Sequence, residues 1–281
     1  NKLSSAMLKV INLNQWVSEN KSQFLPPVCN KMMHNMQLKI MCIGGPNQRK
    51  DYHIEEGEEF FYMIKGDMCL KIVENGKHKD VVIKQGEVFL LPPRIPHSPQ
   101  RFEDTVGLVI ERERHENETD VLRYFVGEST DILYEKTFHS VDLGTELPPM
   151  IDQYFNSEEY KTGVPNPSQA SKKIPFNLNL ESVSAPKLLS HQLDNNATEF
   201  KLFEGDLQSN VEVISSGVKT SKCDVETWFW QIMGTSVVYA DGKEFTLNGD
   251  DTLLIPPNVE YNFKHAFNQC VLTCSLSHIL A

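Results

Sequence analysis

The feature that most limits the fold of this 281-residue chain is a weak internal repeat. Three segments of the first half return in the second half in the same order. The matched pairs are EFFYMIKG (59–66) with TWFWQIMG (227–234), NG (75–76) with DG (241–242), and LLPPRIPH (90–97) with LIPPNVEY (254–261). Because glycine, proline and aromatic positions coincide in these pairs, the chain is predicted to contain two copies of one β-structure.

Strand and turn signals predict that these copies are all-β. From about residue 26 to residue 126, short runs of alternating or β-branched residues are separated by glycine and proline turns. Asn75-Gly76 lies between runs at 68–73 and 81–83 and is typical of a hairpin, here with room for a longer loop. Helical signals are few. Residues 13–20 indicate a short helix, and Pro148-Pro149 is expected to open another that ends near Gly163.

The same signals give the domain boundaries. Residues 7–163 are assigned to the first domain and 188–281 to the second, joined by a linker at 164–187 that is rich in proline, serine, asparagine and lysine. Residues 1–6 are interpreted as a cloning remnant that precedes Met7. The expected architecture is therefore two small β-barrels in tandem with a few short helices.

Composition narrows the classes of partner. The 27 Lys and Arg residues against 38 Asp and Glu give a net charge of −11 without a basic tract, so nucleic acid is not expected as a partner. No apolar run approaches the ~20 residues of a membrane span, and the N-terminus lacks a secretory signal. Six scattered cysteines favour a reducing compartment, and we expect a cytoplasmic protein. The duplication supplies an internal pseudo-dimer, which favours a monomer.

One constellation carries the chemistry. His53-Ile-Glu-Glu-Gly-Glu-Glu59, followed by Gly66, Gly86, Pro92 and His97, resembles the two signature motifs of the cupin superfamily, small β-barrels that hold a metal inside. Three positions depart from those motifs: Glu55 replaces a frequent histidine, Arg94 a glycine and Arg101 an asparagine. The departures indicate a site with three protein ligands, which are His53, Glu59 and His97.

Strand periodicity supports this set. Side chains alternate faces along a strand, so residues at even separations share a face where the strand is unbroken. Arg49, His53 and Glu59 share parity, as do His97 and Arg101. Two imidazoles and one carboxylate form the facial triad of non-haem Fe(II) enzymes, which leaves positions for substrate and O₂.

The repeat provides an internal control. The positions equivalent to the three candidate ligands are Ser221, Thr227 and Tyr261 in the second copy, and these do not form a metal triad. Only the first barrel is therefore expected to bind metal. The second copy is interpreted as a degenerate barrel that supports the first.

Longer segments resemble one enzyme family, the 3-hydroxyanthranilate 3,4-dioxygenases of the animal two-barrel type. The segments are PPVCNK (26–31), GGP (44–46), RKDYHIEEGEE (49–59), VVIKQGEVFLLP (81–92), PHSPQR (96–101) and VGLVIE (106–111). The resemblance implies an Fe(II) enzyme that opens the ring of 3-hydroxyanthranilate with O₂. The product, 2-amino-3-carboxymuconate semialdehyde, leads to quinolinate and NAD on the kynurenine route from tryptophan.

That substrate suggests roles for the remaining candidates. The amine and hydroxyl of the ring would chelate iron beside Glu59, and Arg101 would bind the ring carboxylate. Glu111 would accept a hydrogen bond or proton from the chelating groups, and Arg49 would stabilise charge on dioxygen as it is reduced. Asn30 is a weaker candidate for the pocket wall.

Other interpretations of these residues stay open at this stage. Arg49 and Arg101 are also compatible with surface cations, and Glu111 with a solvated charge run that continues to Arg114. Four aromatic residues in apolar runs are expected in the barrel cores, namely Phe60, Phe61, Trp228 and Trp230. Two other functions also remain: a cupin dioxygenase with a different substrate, or a two-barrel protein that binds a ligand without catalysis.

Overall fold

The structure is a computed structural model that describes residues 8–26, 29–167, 174–193, 197–265 and 269–277. The described chain is mostly β, as predicted, and divides into two compact units. The first unit is Gln23–Lys187, and the second combines the chain up to Ser22 with the chain from Leu188 onward. The sequence-based boundaries differ from this division, since residues 8–22 belong to the second unit and the described part of the linker up to Lys187 to the first.

The chain begins with elements of the second unit and continues through the first. The elements are β1 (Ile11–Asn12), α1 (Leu13–Glu19), a 3-10 turn (Lys21–Phe24), β2 (Asn30–Asn35), β3 (Leu38–Gly44), β4 (Asn47–Gln48), β5 (Tyr52–Ile54), β6 (Glu59–Lys65), β7 (Met68–Glu74), β8 (Lys77–Ile83), β9 (Glu87–Leu91), β10 (His97–Arg101), β11 (Val106–Arg112), β12 (Asp120–Phe125), β13 (Ile132–Phe138), α2 (Leu143–Phe155) and α3 (Glu158–Thr162).

The second half repeats much of this series. Its elements are β14 (Lys187–Leu188), α4 (Leu189–Leu193), β15 (Glu199–Lys201), β16 (Ser209–Ile214), β17 (Gly217–Lys222), β18 (Thr227–Met233), β19 (Ser236–Ala240), β20 (Lys243–Leu247), β21 (Asp251–Ile255), β22 (Glu260–His265) and β23 (Cys270–Leu276). Among the described helices, none is long and apolar enough to cross a membrane.

Each unit consists of two sheets. In the first unit, one sheet has the strand order β14-β9-β6-β11-β3-β2, and the other has β13-β12-β5-β10-β7-β8 with β4 beside β10. Alternate residues of both sheets enclose one apolar core, in which Phe61 and Phe89 of the first sheet pack with Leu70 and Ile72 of the second. Cores of this kind form where apolar and polar residues alternate along a strand, because successive side chains point to opposite faces and each strand then has one apolar face.

The repeat predicted from the sequence is confirmed by the topology. The sheet β1-β21-β18-β23-β16-β15 of the second unit corresponds strand by strand to the first sheet of the first unit. The four-stranded sheet β17-β22-β19-β20 corresponds to β5-β10-β7-β8, and Ser221 pairs with Tyr261 as His53 pairs with His97. Among the described residues, this second sheet has no counterpart of β12 and β13.

The N-terminal strand explains the observed boundary. Ile11 and Asn12 pair with Thr252 and Asp251, and the Asn12 side chain caps α1 by accepting from the backbone N–H of Gln15. This pairing places residues 8–22 with the second unit rather than with the chain that follows them. The partners are about 240 residues apart, so local patterns could not reveal the contact.

The Asn75-Gly76 turn agrees with the prediction from the sequence, whereas one helix begins and ends at residues other than those predicted. Asn75 and Gly76 adopt φ values of 50° and 72° and form a two-residue turn, tighter than the loop that the sequence allowed. The helix expected to open at Pro148-Pro149 begins instead at Leu143, because Asp142 caps it by accepting from the N–H of Gly144. It ends at Phe155, and the predicted end near Gly163 is the end of a separate helix, α3.

The aromatic residues expected in the cores are buried as predicted. Phe60, Phe61, Trp228 and Trp230 are each at most 2% exposed. The packing around them leaves little space, because protein interiors approach the density of organic crystals.

Core packing gives a first prediction. Ile72 is fully buried on β7, whereas Val82 on β8 is 50% exposed. Ile72→Ala is expected to lower the free energy of unfolding by about 2–5 kcal/mol through lost contacts and a cavity. The control Val82→Ala should change it by less than about 0.5 kcal/mol. Urea unfolding measures both, and equal effects of the two substitutions would contradict the assigned core.

Candidate metal centre

A cavity of about 360 Å³ opens into the first unit, and residues of both sheets line it. Its wall includes every site residue predicted from the sequence, namely Asn30, Arg49, His53, Glu59, His97, Arg101 and Glu111. Strand parity accounts for His97 and Arg101, which share β10, whereas Arg49, His53 and Glu59 lie on separate segments and reach the cavity from different sheets. The structure thus brings together residues that lie up to 81 positions apart.

The deepest part of the cavity holds a cluster of potential ligands. His53 on β5 and His97 on β10 are cross-strand neighbours with ring centroids 5.3 Å apart, and Glu59 is the first residue of β6. Glu55 also belongs to the cluster, and one ligand atom from each of the four residues lies within 4.8 Å of the others. Sequence reasoning noted Glu55 only as a departure from the cupin motif, although its spacing of two from His53 was a signal that it could share the site.

The two imidazoles are oriented by their second ring nitrogens. His53 Nε2 lies 2.8 Å from Asp120 Oδ1, and His97 Nδ1 lies 3.0 Å from the backbone oxygen of Ile95. His97 Nε2 points to Glu59 Oε1 at 2.8 Å. Histidines that bind metals commonly use one nitrogen for the metal and donate from the other to a carboxylate or carbonyl. Both rings have this arrangement.

The charge buried around the cluster indicates whether these residues are suited to bind a metal cation. Four buried carboxylates, those of Glu55, Glu59, Glu111 and Asp120, surround the cluster. Burial raises the pKa of Glu59 to about 7 and the pKa of Glu55 well above its usual range, because the charged forms lose hydration. Glu55 Oε1 is buried and has no hydrogen-bond partner among the described residues. Nitrogen and carboxylate donors with an excess of negative charge fit a divalent transition metal.

Arg114 joins three of these carboxylates. Its guanidinium lies 2.6 Å from Glu55 Oε2, 2.5 Å from Glu111 Oε2 and 3.3 Å from Asp120 Oδ1. Burial by itself would lower the pKa of Arg114, but the three carboxylates raise it above its usual value. The alternative of a solvated charge run is wrong, since the side chains of Arg114 and Glu111 are 4% and 9% exposed. Sequence reasoning named Arg114 only as the end of a charge run, because its partner Glu55 is 59 residues away in the chain.

Two further cations face the cavity. Arg101 is 2% exposed, burial lowers its pKa to about 10, and its Nη1 has no hydrogen-bond partner among the described residues. It is therefore not a surface cation. A Cβ atom at Gly107 would lie 2.8 Å from this Nη1, so the glycine makes space for the guanidinium.

Arg49 is held differently. Its Nε donates to Asp51 Oδ2 at 3.0 Å, and its side chain is 22% exposed, so it lies in the cavity wall rather than free on the surface. Asn30 is exposed at the rim, on β2. The carboxylate of Asp51 fixes the orientation of the Arg49 guanidinium group. Asp51 was not among the residues predicted from the sequence.

The second unit has no comparable cluster among its described residues. Tyr261 occupies the position equivalent to His97, is buried, and lies opposite Ser221 in the register of β17 and β22. The three equivalent positions, Ser221, Thr227 and Tyr261, thus carry neutral side chains. This is the arrangement expected for a barrel that keeps its fold without a metal.

Comparisons with known proteins agree with this geometry. Residues 6–155 match the family model described as 3-hydroxyanthranilic acid dioxygenase. The chain is 51% identical to 3-hydroxyanthranilate 3,4-dioxygenase of Xenopus tropicalis, covering 96% of this chain and 99% of that protein. It is 50% identical to the Bos taurus enzyme, covering 95% and 96%, and 47% identical to the Homo sapiens enzyme, with the same coverage.

Solved structures support the fold. Salicylate 1,2-dioxygenase from Pseudaminobacter salicylatoxidans superposes with a TM-score of 0.60 at 12% identity, covering 99% of this chain and 86% of that chain. A cupin 2 conserved barrel domain protein from Leptotrichia buccalis gives a TM-score of 0.52 at 10% identity, covering 98% and 99%. The cupin fold expected from the sequence is thus confirmed. The family match over more than half of the chain and the near full-length relatives establish that this chain belongs to the 3-hydroxyanthranilic acid dioxygenase family.

Proposed function

We propose that this protein is an Fe(II)-dependent dioxygenase that opens the ring of 3-hydroxyanthranilate with O₂ to give 2-amino-3-carboxymuconate semialdehyde, on the kynurenine route to quinolinate and NAD. One observation carries the proposal: a buried cluster of potential metal ligands shares a cavity with the buried Arg101, whose Nη1 has no hydrogen-bond partner among the described residues. The cavity volume of about 360 Å³ is in the range of small-molecule sites. The choice of substrate, the aminophenol 3-hydroxyanthranilate, follows the names of the relatives, which are 3-hydroxyanthranilate 3,4-dioxygenases.

His53, Glu59 and His97 would hold the iron. When bound, Fe(II) supplies open positions for a chelating aminophenol and for O₂, and allows electrons to pass from the ring to oxygen. The chain itself provides orientation and a dry environment. Apolar side chains of Phe61, Val109 and other wall residues would pack on the ring and exclude water from it.

Arg101 would bind the ring carboxylate. A guanidinium forms two parallel hydrogen bonds to a carboxylate, and such bonds are stronger in a desolvated site. Since Nη1 is buried without a partner among the described residues, the anion would satisfy a donor that otherwise costs free energy. Binding at this end fixes the hydroxyl and amine towards the cluster.

Glu111 would accept the proton that leaves the hydroxyl or amine as the substrate binds. Arg114 holds Glu111 by one oxygen, so the second oxygen is available to the cavity. Arg49, held by Asp51, would stabilise negative charge that develops on oxygen. Asn30 would contribute to the rim of the substrate pocket.

We also propose a cytoplasmic monomer. All six cysteines are free thiols, which suits a reducing compartment. Light scattering after size-exclusion chromatography measures the molar mass in solution, and a monomer should give the 32.1 kDa of one chain.

The metal ligands give the second prediction. His53→Ala and His97→Ala are each expected to abolish iron binding and O₂ consumption together, because each removes one of the three proposed ligands and leaves only two. The matched control is Ser221→Ala, at the position equivalent to His53 in the second unit, which should keep both. Metal analysis and an oxygen electrode measure the outcome. Full turnover by the His97 variant would refute the assigned site.

The carboxylate contact gives the third prediction. Arg101→Ala should lower kcat/KM for 3-hydroxyanthranilate by about 10- to 100-fold, mainly through KM, since it removes charge-assisted hydrogen bonds. The same variant should act on 2-aminophenol, which lacks the carboxylate, nearly as the unmodified protein does. Iron content serves as the control. An equal loss for both substrates would show that Arg101 does not bind the carboxylate.

The proton acceptor gives the fourth prediction. Glu111→Gln should lower kcat by about 10²- to 10⁴-fold with little change in iron content, because the amide cannot accept a proton. The control is Glu113→Gln, a substitution of an exposed glutamate two residues away that should leave kcat unchanged. Steady-state oxygen uptake measures both. An unchanged kcat for Glu111→Gln would remove Glu111 from the reaction.

A further inference from the structure

Asp120 is a buried carboxylate that the proposed reaction does not use. It is 1% exposed and begins β12, the strand beside β5. Leu122 is the register partner of His53, which places Asp120 two residues away on the same face of the sheet, at the diagonal position. From there Asp120 Oδ1 reaches His53 Nε2 at 2.8 Å.

Both oxygens of Asp120 are held by other groups. Arg114 approaches Oδ1 through Nη2 at 3.3 Å, and the backbone N–H of Ser140 donates to Oδ2 at 3.3 Å. The carboxylate therefore has a fixed position relative to the His53 ring. Among the described residues, no hydrogen bond engages His53 Nδ1, so Nδ1 is the ring nitrogen that remains for a metal.

The second unit supplies a comparison. Its sheet ends at β17, the strand that carries Ser221 at the position of His53, and among the described residues no strand lies beyond it. In the first unit, β12 and β13 extend the sheet at this edge, and β12 carries Asp120. The added strands thus accompany the metal cluster and bring a carboxylate to one of its histidines.

We propose that Asp120 is a positioning residue for the metal site: it accepts the Nε2–H of His53 and thereby directs Nδ1 of the same ring to the metal. Arg114 and the Ser140 backbone hold the carboxylate for this purpose. The inference rests on the proposed function, because it requires that the cluster binds a metal. It assigns a role to a side chain that contacts neither substrate nor metal.

The fifth prediction follows from this role. Asp120→Asn keeps the shape of the side chain but weakens the acceptor and the basicity of the histidine, so the dissociation constant for Fe(II) or Co(II) should rise by about 10- to 100-fold. Competition with a chromophoric chelator, without oxygen, measures it. The matched control is Asp131→Asn, at an exposed aspartate between β12 and β13, which should leave the constant unchanged. An Asp120→Asn variant that folds and binds metal as tightly as the unmodified protein would overturn the proposal.

A second measurement does not depend on the variant. In the unmodified protein loaded with Zn(II) and labelled with ¹⁵N-histidine, His53 should carry its proton on Nε2 and bind the metal through Nδ1. The opposite assignment would overturn the proposal while leaving the metal site intact. If the unmodified protein binds no metal at all, the proposed function fails as well, so the two failures are distinguishable.

Discussion

The active cavity depends on one electrostatic constraint: carboxylates that have lost their hydration must be compensated locally. Glu55, Glu59, Glu111 and Asp120 are buried around two imidazoles, and the guanidinium groups of Arg101 and Arg114 leave an excess of two negative charges when all four acids are ionised. Buried charges without partners are costly, so such a cluster is unstable unless protons or a cation compensate it. A divalent metal would supply the compensation and, in the proposed reaction, also the reactive centre.

Among the described residues, only one of the two similar units contains such a charged cluster, and the scaffold explains this difference. Both units have corresponding sheets and an apolar core, so the barrel fold does not require the cluster. In the second unit the equivalent positions carry the neutral side chains of Ser221, Thr227 and Tyr261. In the first unit β12 adds Asp120, and β11 ends shortly before Arg114, so the groups that orient and balance the cluster come from the strands around it. The two copies of one fold thus differ in the charged cluster and share the sheets that form the core.

Much of this could be predicted from the sequence because it depends on local patterns. The repeat, the Asn75-Gly76 turn and the even spacing that groups His97 with Arg101 on one strand all follow from periodicity and turn chemistry. The helix at Leu143 could not be placed from its prolines, since the cap Asp142, six residues before Pro148, determines where it begins.

The remainder depends on contacts between distant parts of the chain. Arg114 pairs with Glu55, and Asp120 with His53, across separations of 59 and 67 residues. Such pairs are defined by which strands become neighbours in a sheet, and no local pattern records that choice. The pairing of β1 with β21, which moves residues 8–22 into the second unit, has the same origin.

Oxygen consumption tests the proposed reaction, with protein purified without oxygen and reconstituted with Fe(II), after addition of 3-hydroxyanthranilate. We expect O₂ and substrate to disappear in equal amounts, the ring-opened semialdehyde to form, and removal of the iron to stop the reaction. Iron-loaded protein that consumes no O₂ with this substrate, or metal-free protein that consumes it at the same rate, would contradict the proposed function.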